Sequence, residues 1–263
     1  MTATRSDGLY ASDAVRQAAR LREPDRYLAA LLAPRAVRRD LVALAAFSAE
    51  LVHARDVVRD PMIGEIRLQW WRDALLALAR GERTANPVAD ALGVAMHRHN
   101  LAPAMLQVPI EAWSRQLQML GGADQCGEII AAKAEEALFK AALSILGLPV
   151  SPASEAACAD AGVAYGIARR GTTIRTAEHA HGSPRHDLVQ AMWNQAREAL
   201  VAARRRVSEL GPGALVAFLP LVMVEPYLRV QEQVNANQLG HVADITPLSR
   251  VWRIWRAKRR GRF

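Results

Sequence analysis

Apolar residues recur at three- and four-residue spacing along most of the 263-residue chain, and no stretch alternates convincingly between polar and apolar positions. This period is typical of amphipathic helices. Proline, glycine and asparagine separate the periodic segments and mark the predicted helix ends. We therefore predict an array of helices at 35–59, 64–80, 87–100, 109–120, 128–146, 152–178, 185–210, 212–233 and 247–259.

The helix at 64–80 is predicted to bury one of its faces. The spacing favours a face made of Ile66, Trp70, Leu75 and Leu78. Adjacent Trp70 and Trp71 point about 100° apart on a helix and cannot share one narrow stripe. Either both fill a wide interface between helices, or one faces a cavity or a partner.

Alanine is abundant, while β-branched and aromatic residues are sparse, which favours helix over sheet and excludes an all-β fold. The Gly- and Pro-containing turns are too short to be interdomain linkers. We predict a weakly attached N-terminal segment at 1–24 and a single domain at 25–263, with a basic C-terminal end at 247–263.

The net charge of +8 is concentrated at this basic end, because seven Lys/Arg and no acid lie between Arg250 and Arg262. Basic and aromatic residues on one short helix suit an anionic membrane surface. The candidate contacts are Trp252, Trp255, Arg256, Arg259 and Arg260. The alternative is an ordinary last helix whose tryptophans cover the core. No nucleic-acid partner is expected, since no recognised nucleic-acid module precedes the basic end.

The cysteines and the apolar runs bear on localisation. Two cysteines are too few for a disulfide framework, and the first twenty residues contain no apolar core of signal-peptide length. The longest apolar run, 214–224, is 11 residues and contains Pro220, whereas a membrane span needs about 20. We expect a cytoplasmic protein, with peripheral attachment at the inner face of the membrane as an open alternative.

Two carboxylates, Asp56 and Asp60, lie four residues apart near the end of the helix predicted at 35–59. On a continuing helix such residues share a face, and paired carboxylates can hold Mg²⁺ that bridges diphosphate oxygens. The alternative is a solvated helix end, because Pro61 pushes Asp60 out of helical geometry.

Small residues at 162–168 lie along one predicted helix, where they allow either a close helix neighbour or room for a long apolar ligand. Arg169, Arg170 and Arg175 follow directly. They are candidates to bind an anionic substrate group, although surface arginines are often simply solvated.

Three blocks resemble the squalene/phytoene synthase family: 26–34, 41–47 and 64–73, where the last reads Gly-Glu-Ile-Arg-Leu-Gln-Trp-Trp-Arg-Asp. Segment 162–174 is similar to the second motif of the family, and segment 219–228 to its late helix. The resemblance implies an all-α fold, the helical barrel of the isoprenoid synthases. In active members two Asp-rich motifs face each other across a cavity, bind Mg²⁺ and ionise prenyl diphosphates.

The chain departs from both motifs. Setting Phe47 on the family pattern F-x-R-x-x-D-D-x-x-D places Ala49 at the arginine, Val52 and His53 at the paired aspartates, and Asp56 at the last aspartate. In the second motif Thr176 and Ala177 stand where arginine and aspartate are expected. With these ligands replaced we expect no cofactor. The pattern resembles a divergent branch that includes the mitochondrial complex I assembly factor.

Three functions follow as hypotheses. The first is a non-catalytic isoprenoid-binding or assembly-factor-like protein. Its expected partners are a prenyl diphosphate or prenyl lipid, bound by Arg169, Arg170, Arg175, Trp70 and Trp71, or a protein client. The second is a working prenyltransferase with an altered Mg²⁺ site built from Asp56, Asp60 and Glu50. The third is a peripheral membrane adaptor that acts through the basic end.

Overall fold

The structure, a computed structural model, describes residues 3–56, 61–118, 125–181, 186–237 and 245–263, and side chains within 13–54, 62–118, 130–169, 188–233 and 245–263. All regular elements in these ranges are helical. They are α1 Ala3–Arg22, α2 Pro24–Leu31, α3 Arg35–Asp56, α4 Pro61–Ala79, α5 Pro87–His99, α6 Pro103–Gln118, α7 Gln125–Ile145, α8 Pro152–His181, α9 His186–Glu209, α10 Leu215–Phe218, a 3₁₀ helix Leu219–Met223, α11 Val224–Asn237 and α12 Pro247–Arg260.

Helix α7 lies between the two larger parts of the core. Leu138, Ala141 and Ile145 pack into a cluster built mainly from α3, α4, α5 and α6. Phe139 and Leu143, on another side of α7, pack into a second cluster with α8, α9 and α11. A smaller cluster joins α2, the 3₁₀ helix and α12. The interior of the fold therefore lies where α2, α3, α7 and the 3₁₀ region meet.

Two predicted helices differ from the observed ones. The helix predicted at 109–120 begins at Pro103, and Pro109 lies inside it and is buried. An interior proline usually costs about 3 kcal/mol, so the packing of α6 against α4 and α7 maintains the helix. The helix predicted at 212–233 is three elements, because Pro220 lacks an N–H and lies in a 3₁₀ turn between α10 and α11.

The N-terminal segment packs against the body over part of its length. Val15 and Ala19 on α1 are buried in the first core cluster, and α1 contacts α3 and α5. Residues 13–24, which the sequence assigns to a weakly attached segment, thus contribute to the core. Among the described residues no helix has both the length and the hydrophobicity that a bilayer crossing requires.

Candidate functional site

Two carboxylates enter the interior at the junction of α1 and α2. Helix α1 ends at Arg22 and α2 begins at Pro24, so Glu23 lies at the turn and Asp25 in the first turn of α2. Each is only 1% exposed. Because buried carboxylates are costly unless they are paired and hydrogen-bonded, their partners define the centre of the molecule.

Glu23 belongs to a ring of alternating charges, which we call the interior ion network: Glu23, Arg26, Glu135 and Arg169. Arg26 Nη1 donates to Glu23 at 3.1 Å, and Arg169 Nη1 donates to the other Glu23 oxygen at 2.7 Å. Arg26 also donates to Glu135, and Arg169 Nη1 lies 3.5 Å from Glu135. Two negative and two positive charges therefore balance within the ring.

The pKa directions of Glu23 and Arg169 agree with their pairing. Burial by itself would raise the pKa of Glu23, but the guanidinium groups of Arg169 and Arg26 and the Ser48 hydroxyl, which donates to Glu23 at 2.9 Å, lower it below its ordinary value. Burial works against the charge of Arg169 too, yet Glu23 keeps the Arg169 pKa well above its ordinary value. Glu23 and Arg169 therefore carry opposite charges at neutral pH.

Aromatic rings enclose the network. The guanidinium groups of Arg26 and Arg169 lie 5.1 and 5.3 Å from the centre of the Tyr165 ring. Phe139 lies edge-on to Tyr165 with centres 6.0 Å apart, and Phe218 stacks on Phe139 at 5.5 Å. These contacts combine cation–π attraction with exclusion of water.

Asp25 forms a second centre that joins four helices. Tyr165 on α8 and Tyr227 on α11 both donate to Asp25 Oδ2, at 2.8 and 2.7 Å. Arg250 on α12 lies 3.3 Å from Oδ1. Burial and the charge of Asp25 hold the pKa values of Tyr165 and Tyr227 above the ordinary value, so both hydroxyls remain protonated donors.

The cavity at the meeting point of α2, α3 and α7 is small. Its volume is about 20 Å³, and Ala30, Leu44, Phe139 and Val216 are among its lining residues. Arg26 supplies its charged wall. A space of this size holds about one water molecule, whereas sites for organic ligands are typically about 300–1,000 Å³.

The glycines of the small-residue segment bring α7 and α8 together. A Cβ placed on Gly162 would lie 2.9 Å from Glu136 N and closer still to Ala132 O. At Gly166 the nearest backbone atom, Ala132 N, would be 3.2 Å away. Of the two alternatives that the sequence left open here, the described geometry supports close helix packing.

The predicted carboxylate site lies at the end of α3. Glu50 is half-buried there, and Ala49 and Val52 are buried among apolar neighbours. Asp56 is the last residue of α3, but its side chain lies outside the described residues, as does all of Asp60. Among the described side chains, no three of His, Cys, Asp or Glu come together as a metal site. The roles proposed for Asp56, Asp60 and Glu50 stay predictions.

Of the predicted anion-binding arginines, Arg169 is part of the interior ion network. The side chains of Arg170 and Arg175 lie outside the described residues. Any contact of these three arginines with a ligand stays a prediction.

The two adjacent tryptophans lie in different environments. Trp71 is buried and lies edge-on to Phe47 at 5.0 Å, while Trp70 is exposed and touches Trp71 at 5.1 Å. The buried face of α4 is Leu68, Trp71, Leu75 and Leu78, so the predicted inward positions of Ile66 and Trp70 were wrong. Substrate binding by Trp70 and Trp71 stays a prediction.

Neither tryptophan of the basic end covers the core. Trp252 and Trp255 are exposed, with Arg256 and Arg259 stacked on their rings at 4.7 and 4.8 Å. Arg260 is exposed too.

Sequence reasoning missed Glu23, Asp25, Glu135 and Tyr227. Acidic residues beside a proline at a helix start are ordinarily a solvated N-terminus, so no local signal marked them for burial. The partners of these residues are distant in the sequence. Arg26 and Glu135 are 109 residues apart, and Asp25 and Tyr227 are 202 residues apart.

Sequence relatives with curated names are complex I assembly factors. The chain is 29% identical over 272 residues to the bovine protein named "NADH dehydrogenase (ubiquinone) complex I, assembly factor 6". The alignment covers 91% of this chain and 80% of the bovine protein. The rat protein of the same name is 28% identical with the same coverage. The human protein of that name is 27% identical, in an alignment that covers 82% of this chain and 72% of the human protein.

Two solved structures with the same fold are named as synthases. Squalene synthase HpnC from Alicyclobacillus acidocaldarius superimposes with a TM-score of 0.67 at 17% identity, over 88% of this chain and 97% of that one. A dehydrosqualene synthase in complex with ligand superimposes with a TM-score of 0.72 at 11% identity, over 97% of this chain and 98% of that one. The squalene/phytoene synthase family profile matches residues 19–169. The chain therefore has the isoprenoid synthase fold and belongs to the squalene/phytoene synthase family.

Proposed function

We propose that this chain is a non-catalytic member of the family and acts as an assembly factor for NADH dehydrogenase complex I, binding a protein client. The observation that carries the proposal is the small cavity that the described residues of α2, α3 and α7 form. At about 20 Å³, this described cavity is too small to take a prenyl chain. The names of the curated relatives supply the process in which the scaffold would act.

The interior ion network supports the same proposal. The charges of Arg26 and Arg169 are already neutralised by Glu23 and Glu135. A diphosphate approaching Arg169 would have to compete with a fully buried carboxylate at 2.7 Å. Breaking such a pair costs about 3–5 kcal/mol, so recruiting these arginines for a substrate would destabilise the fold.

The donor set at the first motif does not fit a magnesium cluster. Mg²⁺ requires oxygen ligands, chiefly carboxylates. Where the family pattern has ligands, this chain has buried Val52 and half-buried His53. Ionisation of the leaving group needs metal and cations around the diphosphate, and Val52 and His53 do not supply oxygen ligands for such a metal.

The first test is turnover. The purified chain is incubated with farnesyl or geranylgeranyl diphosphate and Mg²⁺, beside an active dehydrosqualene synthase as positive control, and products are extracted and separated. We expect no condensed product. Mg²⁺-dependent product that disappears in Asp56→Ala would overturn the proposal in favour of the working prenyltransferase.

Ligand binding is measured separately by thermal stabilisation with a non-hydrolysable geranylgeranyl diphosphate analogue. A ligand that binds only the folded state raises the melting temperature. We expect the melting temperature to be the same with and without Mg²⁺. A rise that requires Mg²⁺ would contradict the loss of the metal site.

The client is tested by genetic complementation. Cells lacking this chain are expected to lose assembled complex I, measured as NADH:ubiquinone oxidoreductase activity of their membranes. Wild type and Asp56→Ala should restore it equally, because the proposed role needs no catalytic carboxylate. Unchanged complex I in the deletion, or rescue that fails only with Asp56→Ala, would overturn the proposal.

A further inference from the structure

The outer face of α12 carries a continuous apolar stripe, which we call the α12 stripe: Leu248, Val251, Trp252 and Trp255. These side chains are 83%, 46%, 52% and 44% exposed. Their spacing of three, one and three residues places them on one side of the helix. Large apolar side chains grouped in this way on a surface mark an interaction site, whereas isolated ones do not.

The opposite side of α12 is fixed to the body of the protein. Ile254 and Ala257 are buried against α2 and the 3₁₀ helix. Arg250 reaches Asp25 and lies over the Tyr227 ring at 5.9 Å. Thr246 caps the start of the helix by accepting from Ser249 N at 3.3 Å. The stripe therefore has a defined orientation, directed away from the core.

Two arginines lie beside the tryptophans of the stripe. Arg256 and Arg259 stack on Trp252 and Trp255, which holds their charges beside the apolar side chains. Residues 245–263 contain no acidic residue. Among the described carboxylates, none forms an ion pair with Arg256 or Arg259. The surface thus combines exposed hydrocarbon, indole rings and uncompensated positive charge.

We propose that the α12 stripe and its arginines dock on the surface of a lipid bilayer that contains anionic phospholipid. Indole rings favour the headgroup level, and aliphatic side chains such as Leu248 and Val251 gain by entering the boundary with the acyl chains. The arginines meet the lipid phosphates. Helix α12 lies in the plane of the surface, because its other face stays bound to α2 and the 3₁₀ helix.

An RNA partner fits this surface less well. Stacking on bases would use Trp252 and Trp255 and the arginines would meet phosphates, but Leu248 and Val251 would remain in water. A bilayer, with its acyl chains beneath charged headgroups, removes the whole stripe from solvent.

The experiment is co-sedimentation of the full chain with vesicles of phosphatidylcholine alone or with about 30% phosphatidylglycerol, chosen so that anionic charge is the only difference. We expect binding to the anionic vesicles that weakens as salt rises from 0.1 to 0.5 M, because the screening length of about 10 Å shortens. Brominated acyl chains should quench the tryptophan fluorescence of the bound protein.

Two pairs of matched variants separate the apolar from the charged contribution. Trp252→Ala/Trp255→Ala should reduce binding and remove the lipid-dependent quenching, while the control Trp70→Ala, also an exposed tryptophan, should change neither. Arg256→Gln/Arg259→Gln should weaken binding about 30-fold, whereas Arg204→Gln/Arg205→Gln, an exposed pair on α9, should not. Circular dichroism establishes that each variant is folded.

Three results would overturn the proposal: equal binding to both kinds of vesicle, binding by the double tryptophan variant equal to wild type, or no bromine quenching. A single-stranded RNA oligonucleotide is measured in parallel. RNA binding that is lost in the arginine variant, with no vesicle binding by wild type, would replace the membrane by RNA.

Discussion

Glu23 and Asp25 lie on either side of Pro24, and both carry their charge into the interior. At the scale of single residues the molecule is organised by how these two carboxylates are satisfied. Glu23 accepts from Ser48, Arg26 and Arg169, while Asp25 accepts from two tyrosines and pairs with Arg250. Each is held by partners from several helices, so a change in either reaches beyond its own helix.

Replacing Glu23 by Gln should lower the free energy of unfolding by about 3–5 kcal/mol at pH 7, because Arg26 and Arg169 lose a buried counter-charge. The pKa of Glu23 is lowered by folding from its ordinary value of 4.5. Its contribution is therefore complete above that value and is lost as the pH falls through the lower folded pKa. Urea unfolding between pH 3 and 7 measures both effects. A difference between variant and wild type that stays constant at every pH would contradict this assignment.

Cys158 provides a chemical test of burial on α8. It lies in the second core cluster, and burial raises the pKa of its thiol to about 12. Since the thiolate is the reactive form, iodoacetamide at pH 8 should modify Cys158 very slowly in the native protein and completely in urea. Peptide mass mapping reads Cys158 separately from Cys126. Rapid native labelling would contradict the described packing.

At the scale of elements, helix contacts decide which of several apolar faces is buried. Helix α4 has apolar residues on more than one side. The face that carries Trp71 is the buried one, and there Trp71 contacts Phe47 edge-on. The close approach of α7 and α8 is likewise set by Gly162 and Gly166.

Gly162→Ala should destabilise the protein more than Gly166→Ala. At Gly162 the added methyl meets two backbone atoms of α7, and such overpacking costs about 1–3 kcal/mol, against about 1 kcal/mol gained in helix propensity. At Gly166 the contacts are milder and the two effects nearly cancel. Denaturant midpoints of the two variants measure the difference. Equal midpoints would show that α7 and α8 can separate at little cost.

At the scale of the whole molecule, Asp25 connects α2, α8, α11 and α12. Its loss leaves two tyrosine hydroxyls and one guanidinium without their shared partner. The attachment of the C-terminal helix to the rest of the fold therefore depends on a residue near the N-terminus.

Asp25→Ala should raise amide hydrogen exchange across 247–260 by at least about tenfold, because α12 loses its polar anchor and opens locally. The matched control is Asp40→Ala, which removes a buried carboxylate bound to Arg98 and His99, away from α12. It should destabilise the protein while exchange in α12 remains slow relative to the other helices. If both variants accelerate α12 equally, Asp25 has no specific role in holding it.

The sequence predicted most helices to within a few residues, since periodicity, Pro at helix starts and Gly at helix ends are local signals. It failed at Pro109 and Pro220, where the choice between starting, continuing and breaking a helix depends on neighbours. It found Arg169 as a candidate but missed Glu23 and Glu135, the residues that pair with it.

The sequence by itself determined the all-helical fold, the family and the concentration of charge at the C-terminal end, because each follows from composition, local spacing or family motifs. Only the tertiary structure decided that Glu23 and Asp25 are buried, that the described cavity between α2, α3 and α7 is small, and that Trp252 and Trp255 face outward. These outcomes depend on contacts between residues far apart in the chain, as between Asp25 and Tyr227. A local pattern describes which faces a helix has, and packing between distant helices selects which face is buried.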